Sequence, residues 1–278
     1  MRCAVVMPVY NEAAHLDQVI QSFVNQTQPP DQLILVDDGS TDDSLAIMNK
    51  WCKKHLWIQV IPAQKPTVHE PGAKVIQAFY RGHAQIEPDM DLIGKFDADI
   101  ILPDNYIERL KEVFQMDPKL GLASGLLYLK KNDQWVYEGL AKTDKVRGPI
   151  KLYRSSCFEE IGGLLPCLGW DSIDQWLSLY HGWRVQTLID LKVKHLKATG
   201  QAYSAGTLKN QGMAFAYMGY GFILTFLSLA KLAGHHKQPK ILFFGLVTYW
   251  KNRMEIKVSP PAAKFIKKQL WSGMLNNR

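Results

Sequence analysis

An α/β fold, with a mostly parallel sheet and helices on both faces, is what this sequence predicts. Three observations carry the prediction. Short apolar runs alternate with segments of helical period from Ala4 to about residue 100, the pattern that strand–helix–strand units write. Two of those runs end in paired carboxylates, Asp37-Asp38 and Asp97-Ala98-Asp99. Carboxylates at the carboxyl ends of strands stand where ligands bind in open α/β sheets. From Thr207 onward the composition changes: eleven Lys or Arg face a single acid, Glu255, while the first 206 residues hold 22 basic and 25 acidic residues.

Taken in order, Ala4 to Val9 reads as the first strand, with Pro8 near its end, where no ladder donor is required. Tyr10-Asn11-Glu12 follow. A helical pattern then runs through Leu16, Val19, Ile20 and Phe23, with Asn11 as its N-cap. Leu33 to Val36 is the second strand, closed by Asp37-Asp38-Gly39-Ser40. A carboxylate there accepts from a base or a ribose hydroxyl, and a glycine lets a ligand approach the backbone; an ordinary turn reads the same way. Trp57 to Ile61 is a third strand, and Gly72 to Ile86 a helix whose first turn holds Lys74. A helix dipole disfavours a cation there unless a diphosphate lies close, although solvated lysine is common. Leu92 to Ile101, LIGKFDADII, carries the fourth strand into Asp97 and Asp99, spaced to reach one hard cation and its phosphate oxygens. Neither G-x-G-x-x-G nor G-x-x-x-x-G-K occurs at these turns.

Gly121 to Leu129 is a further strand, Trp135 to Arg147 irregular, and Thr187 to Val193 an apolar segment ending at Lys194-His195. The four cysteines, Cys3, Cys52, Cys157 and Cys167, form no C-x-x-C pair, which suits a reducing cytosol. Met1 runs into an apolar stretch too short for a signal peptide. The basic charge belongs to the tail, so a nucleic-acid partner is not expected for the body. Met213 to Ala233 is apolar on every side. Its length would just span a bilayer, but a single span would put the basic residues on the far side, against the positive-inside tendency. Helices lying on one leaflet, with lysines at anionic head groups, are the expected arrangement, packing on the body the alternative.

VVMPVYNE, VDDGSTD and FDADI, in that order and spacing, resemble the family 2 glycosyltransferases over roughly residues 4 to 200. The resemblance implies the GT-A, Rossmann-like fold, and an inverting transfer of a sugar from a UDP- or GDP-linked donor to an acceptor hydroxyl, with a catalytic domain over 1–206. The composition of the tail, 207–278, adds a helical, membrane-associating segment on the cytoplasmic side of the membrane, and that location makes a lipid-linked saccharide the natural acceptor. By position the resemblance puts Pro8, Tyr10, Glu12, Asp37, Asp38, Lys74 and Asp97 at the donor nucleotide. Asp99, with His195 and Asp97, would hold a divalent cation, Mg or Mn. Relatives carry an acid pair some eleven residues before a glycine. Counting back from Gly182 lands on Asp171, with Trp170 where an acid is common. Asp171 is therefore the expected general base, with Asp174 its rival; either acid could instead serve the start of a helix. The GWD-x-x-D run, the H-x-x-x-T-G at His195 to Gly200 and the Gly/Tyr-rich helix also resemble a little-characterised bacterial subset. A nucleotidyltransferase, or a non-catalytic nucleotide-sugar-binding subunit, is the alternative.

Overall fold

The computed structural model describes residues 1–63, 72–139, 145–197 and 210–275. The chain divides into two compact units, one of Met1–Pro166 with His181–Ala198, the other of Cys167–Tyr180 with Thr199–Arg278.

In the first unit, β1 (Cys3–Val9), α1 (Ala13–Val24), β2 (Gln32–Asp37), α2 (Ser44–Cys52), β3 (Ile58–Ile61), α3 (Ala73–His83) and β4 (Leu92–Phe96) alternate as the sequence predicts. There follow β5 (Ile100–Ile101), α4 (Tyr106–Met116), β6 (Leu120–Lys131), β7 (Gln134–Tyr137), β8 (Ile150–Arg154), α5 (Ser155–Glu160) and β9 (Arg184–His195). The sheet order is β3-β2-β1-β4-β8-β6-β9-β5, with β7 beside β6. It is mixed rather than mostly parallel. β3, β2, β1 and β4 are mutually parallel, as is β6 with β9, while β8 runs against both β4 and β6, β5 against β9, and β7 against β6. The reason is where the crossover helices stop. Parallel neighbours need a long connection; helices supply one between each of the strands β1 to β4, whereas the two-residue turn from β6 to β7 permits only reversal. The segment read as irregular from Trp135 contains β7, while 140–144 lies outside the described residues.

Helices cover both faces. Val5, Met7, Leu33, Leu35 and Phe96 point to α1 and α4, where Leu16, Ile20, Phe23, Leu110 and Phe114 complete one core. On the other face α3 approaches so closely that a Cβ on Gly82 would lie 2.5 Å from Val6 Cγ1 and 2.6 Å from Val36 Cγ2. Pairing of β1 with β4 stops at Val6, whereas pairing with β2 continues to Val9. Pro8 thus sits where its missing N–H costs the β4 side nothing.

The second unit is helical: α6 (Trp170–Tyr180), α7 (Gln211–Tyr217), α8 (Phe222–His236), α9 (Lys240–Asn252) and α10 (Pro260–Leu275). The apolar run from Met213 to Ala233 is not one helix. Gly219 and Gly221 take φ of +70° and +79° and break it, a conformation open to glycine at little cost. Among the described residues no helix is long and apolar enough to cross a membrane. α7 and α9 meet backbone to backbone, with the carbonyl oxygen of Gly245 1.7 Å from where a Cβ on Gly212 would stand.

Gly82→Val should destabilise the protein by about 1–3 kcal/mol through overpacking against β1 and β2. Urea denaturation should show a lowered midpoint with an unchanged slope.

Candidate active site

The loops after β1 and β2 are laced together. Asn11, at φ +53°, is not an N-cap as expected; its Oδ1 accepts from Thr41 N at 2.7 Å and its N–H donates to Ser40 Oγ at 3.1 Å. The first N–H groups of the α1 segment are satisfied from the other loop, Glu12 N by Ser44 Oγ at 2.9 Å and Ala13 N by Asp42 Oδ2 at 3.0 Å. Such orphan donors need partners, and here they fix one loop against the other.

The two acids after β2 differ. Asp37 is buried and its Oδ1 accepts from Ser40 N at 2.9 Å, holding its own turn. Asp38 reaches outward: Oδ1 accepts from Arg81 Nη2 at 3.1 Å, and Oδ2 lies 3.3 Å from Lys74 Nζ. Arg81 also donates to the Asp37 carbonyl at 3.1 Å. Lys74 Nζ stands 4.2 Å from the centroid of the exposed Tyr10 ring, within cation–π range. Lys74 is thus neither a bare cation nor a solvated one. Asp38, Tyr10, Lys74 and Arg81 make one cluster at the ends of β1 and β2.

A second cluster forms after β4. Lys95, buried in the strand, bonds through Nζ to Asp97 Oδ1. The strand period of two puts both side chains on one face. Lys151 of β8, also buried, is directly opposite Lys95 in the ladder. Asp99 has a different partner. The pairing of Ile100 with His195, and a Leu196 N–H donating to the Asp99 carbonyl at 2.8 Å, bring β9 alongside it. His195 Nε2 lies 3.4 Å from Asp99 Oδ2, and Nδ1 lies 3.5 Å from Oε1 of the buried Glu138. Arg147 Nη2 stands 3.5 Å from the other Glu138 oxygen. Burial acts to lower the His195 pKa, but Asp99 and Glu138 together override it and hold the imidazole up at about 9. Two residues further on, Lys197 Nζ meets Glu12 Oε2 at 2.5 Å. Burial raises the Glu12 pKa, Lys197 pulls it down, and the charges of Asp99 and Asp97 push it up. Glu12, Asp97 and Asp99 therefore share one electrostatic field.

Asp99 Oδ1 is buried and has no hydrogen-bond partner among the described residues. An orphaned carboxylate oxygen beside an imidazole suits a divalent cation that takes oxygen and nitrogen donors. The fit is to two protein ligands: no group of three or more His, Cys, Asp or Glu among the described residues is arranged to hold a metal ion, and Asp97 is engaged by Lys95.

Asp171 and Asp174 lie on α6, in the second unit. Asp171 is in the first turn and half-buried. Asp174 is buried, accepting from Gln175 N at 2.6 Å through Oδ1. The last residues of the His195-to-Gly200 motif lie outside the described residues.

Arg81, Lys95, Glu138, Arg147 and Lys197 were not anticipated from sequence. Lys95 had a signal, since a lysine in an apolar strand two residues before an acid faces that acid. Lys197 and Glu12, 185 residues apart, had none.

The sequence model of glycosyl transferase family 2 matches residues 4–162. The chain belongs to that family. A relative, the undecaprenyl-phosphate 4-deoxy-4-formamido-L-arabinose transferase of Sodalis glossinidius, is 29% identical over 142 residues, 48% of this chain and 39% of its own length. The chain spans at most 43% of the length of the curated relatives it matches. A mannosyltransferase from Pyrobaculum calidifontis, solved with GDP-Man and Mn2+, superposes with a TM-score of 0.61 at 16% identity, over 98% of this chain and 80% of that one. A fragment of TarS from S. aureus, solved with UDP, gives 0.55 at 16% identity, over 78% of this chain and 64% of that one. These likenesses establish the GT-A-like α/β fold with its mixed sheet.

Arg81→Met removes two hydrogen bonds from the end of β2. Stability should fall by about 1–3 kcal/mol, read as a lowered urea midpoint, with the helix content by circular dichroism unchanged.

Proposed function

We propose that this family 2 chain is an inverting glycosyltransferase that moves a sugar from a nucleotide-sugar donor to an acceptor hydroxyl with the help of a divalent cation. The observation that carries the reading is the pair of charged clusters at the carboxyl ends of β1, β2 and β4, one of them containing a buried carboxylate oxygen with no hydrogen-bond partner among the described residues.

Asp38, Tyr10 and Lys74 take the nucleoside and the adjoining diphosphate. Asp38 replaces its contacts with Lys74 and Arg81 by donors on the base or ribose, while Lys74 turns to phosphate oxygen. Asp37 and Pro8 support that wall from beneath: Asp37 holds the turn, and Pro8 closes β1. Glu12, tied to Lys197, and Asp97, tied to Lys95, present the ribose side. Asp99 would hold Mg or Mn, joined by His195 once its imidazole gives up the proton that Asp99 and Glu138 stabilise, with Asp97 two residues along the chain as a further carboxylate. The bound cation supplies charge neutralisation for the departing nucleoside diphosphate.

Asp171 takes the proton from the acceptor hydroxyl as that oxygen attacks. Displacement in line with the departing diphosphate inverts the anomeric centre. Asp174 is the second candidate, but its burial and its bond to Gln175 suit a helix support better than a proton acceptor. A lipid-linked saccharide is the proposed acceptor; the undecaprenyl-phosphate in the name of the Sodalis relative supports a lipid carrier. The location that follows is the cytoplasmic side of a membrane. UDP and GDP are both open as the donor nucleotide, since the two structural neighbours carry one each.

Transfer of labelled sugar from UDP- and GDP-sugars to an isoprenoid-phosphate-linked saccharide tests the reading. Asp171→Asn should keep donor binding and lose about 10²–10⁴-fold in turnover; turnover equal to the parent would remove Asp171 from this role. Asp99→Asn should lose Mn2+ binding, read by electron paramagnetic resonance on the protein with nucleoside diphosphate. An unchanged bound Mn2+ signal would place the cation elsewhere.

A further inference from the structure

The hairpin of α8 and α9 has its polarity inverted. The two helices pack through one stripe each, Leu229 and Ala233 on α8 against Ile241 on α9, with Gly245 close enough that a Cβ would lie 2.5 Å from a Leu229 methyl. On a helix at a water-facing surface the opposite stripe is polar. Here the exposed positions carry Ile223, Phe226 and Leu227 on α8 and Phe243, Phe244, Val247 and Trp250 on α9, and Phe222, in line with Leu229, is exposed at the first turn of α8. Phe243 is 65% exposed, Ile223 63%, Trp250 59% and Phe222 53%. A shallow groove of about 420 Å³ lies between them, lined by Phe222, Phe243, Leu246, Val247, Trp250 and Lys251. Contiguous apolar surface on this scale marks a site of association.

The charges around the patch select the partner. Lys251 edges the groove, the Arg253 guanidinium lies 3.7 Å from the centroid of the Trp250 ring, and Lys231, Lys237, Lys240 and Lys257 are exposed nearby in sequence, with Glu255 the one acid after Thr207. An apolar face edged by lysine and arginine, with tryptophan at the boundary, matches the polarity profile of an anionic lipid leaflet. Length forbids crossing. α8 has 15 residues and α9 has 13, whereas a span needs about 20.

We propose that the α8–α9 hairpin lies flat in the head-group region of an anionic membrane leaflet, with Phe222, Phe243, Val247 and Trp250 among the acyl chains and Lys251 and Arg253 at lipid phosphates. This deepens the location given under the proposed function by naming the face and the lipid chemistry. Its test involves no sugar transfer, so the two readings fail separately.

The experiment is flotation of the full chain with vesicles of phosphatidylcholine alone and with added phosphatidylglycerol. The chain should float with the anionic vesicles, and less well as salt is raised. Phe243→Glu with Trp250→Glu should weaken binding at least about tenfold, with circular dichroism and nucleotide binding as in the parent. Ile223→Glu with Leu227→Glu, on the other helix, should do the same and guards against a fold defect in the first variant. Lys251→Glu with Arg253→Glu should remove the preference for phosphatidylglycerol. The proposal is overturned if the folded parent stays unbound with both vesicles, or if the Phe243/Trp250 variant floats like the parent. It is equally overturned if the parent is a dimer that this variant dissolves and neither floats, which would make a second copy the occupant.

Discussion

The short antiparallel pairing of β5 with β9 is the constraint on which the site in the first unit depends. It sets His195 opposite Ile100 and so brings its ring to Asp99. The same strand, two residues later, delivers Lys197 to Glu12 at the start of α1. Glu138, at the end of β7, closes on the far side of the imidazole. Three distant stretches of chain thus meet at one point because β9 is held in one register between β5 and β6, with His195 opposite Ile100 on one side and Leu129 on the other. A slip of one residue would turn His195 to the other face of the sheet.

Around that point the dominant energetic problem is charge. Carboxylates at the ends of buried strands are costly unless they are partnered. The chain answers with a separate cation for nearly every acid: Arg81 and Lys74 for Asp38, Lys95 for Asp97, Lys197 for Glu12 and Arg147 for Glu138. Asp99 differs in that its partner is an imidazole and its second oxygen is buried with no hydrogen bond among the described residues. A nucleoside diphosphate with its cation brings both signs of charge to such a place. Under the proposed function it would exchange partners with the existing pairs.

Much of the first unit was legible in the residues because its signals are local. The apolar runs AVVMPV, LILV and LIGKF are strands, the segments between them are helices, and the acids that end them stand at strand ends. What was not legible depends on partners far away in sequence. The reversal of β8 against β4 makes the sheet mixed, and IKLYR reads as a strand without showing which way it runs. Asn11 looks like an N-cap beside a helix, yet its side chain is used by Thr41 across the loop. The difference between Asp37 and Asp38 is one of direction, which a D-D pair does not display. In the tail, the apolar run was legible but its continuity was not, because the two positive φ angles at Gly219 and Gly221 are a choice glycine permits without requiring it.

The measurement that bears most directly on the account is calorimetric titration of the full chain with UDP, GDP and the other nucleoside diphosphates, each with and without Mn2+. One nucleotide should bind in the presence of Mn2+ and at least about tenfold more weakly without it, since the cation and the diphosphate occupy adjoining parts of one site. A folded sample that binds none of them with Mn2+ present, or binds one equally well without it, would contradict the account.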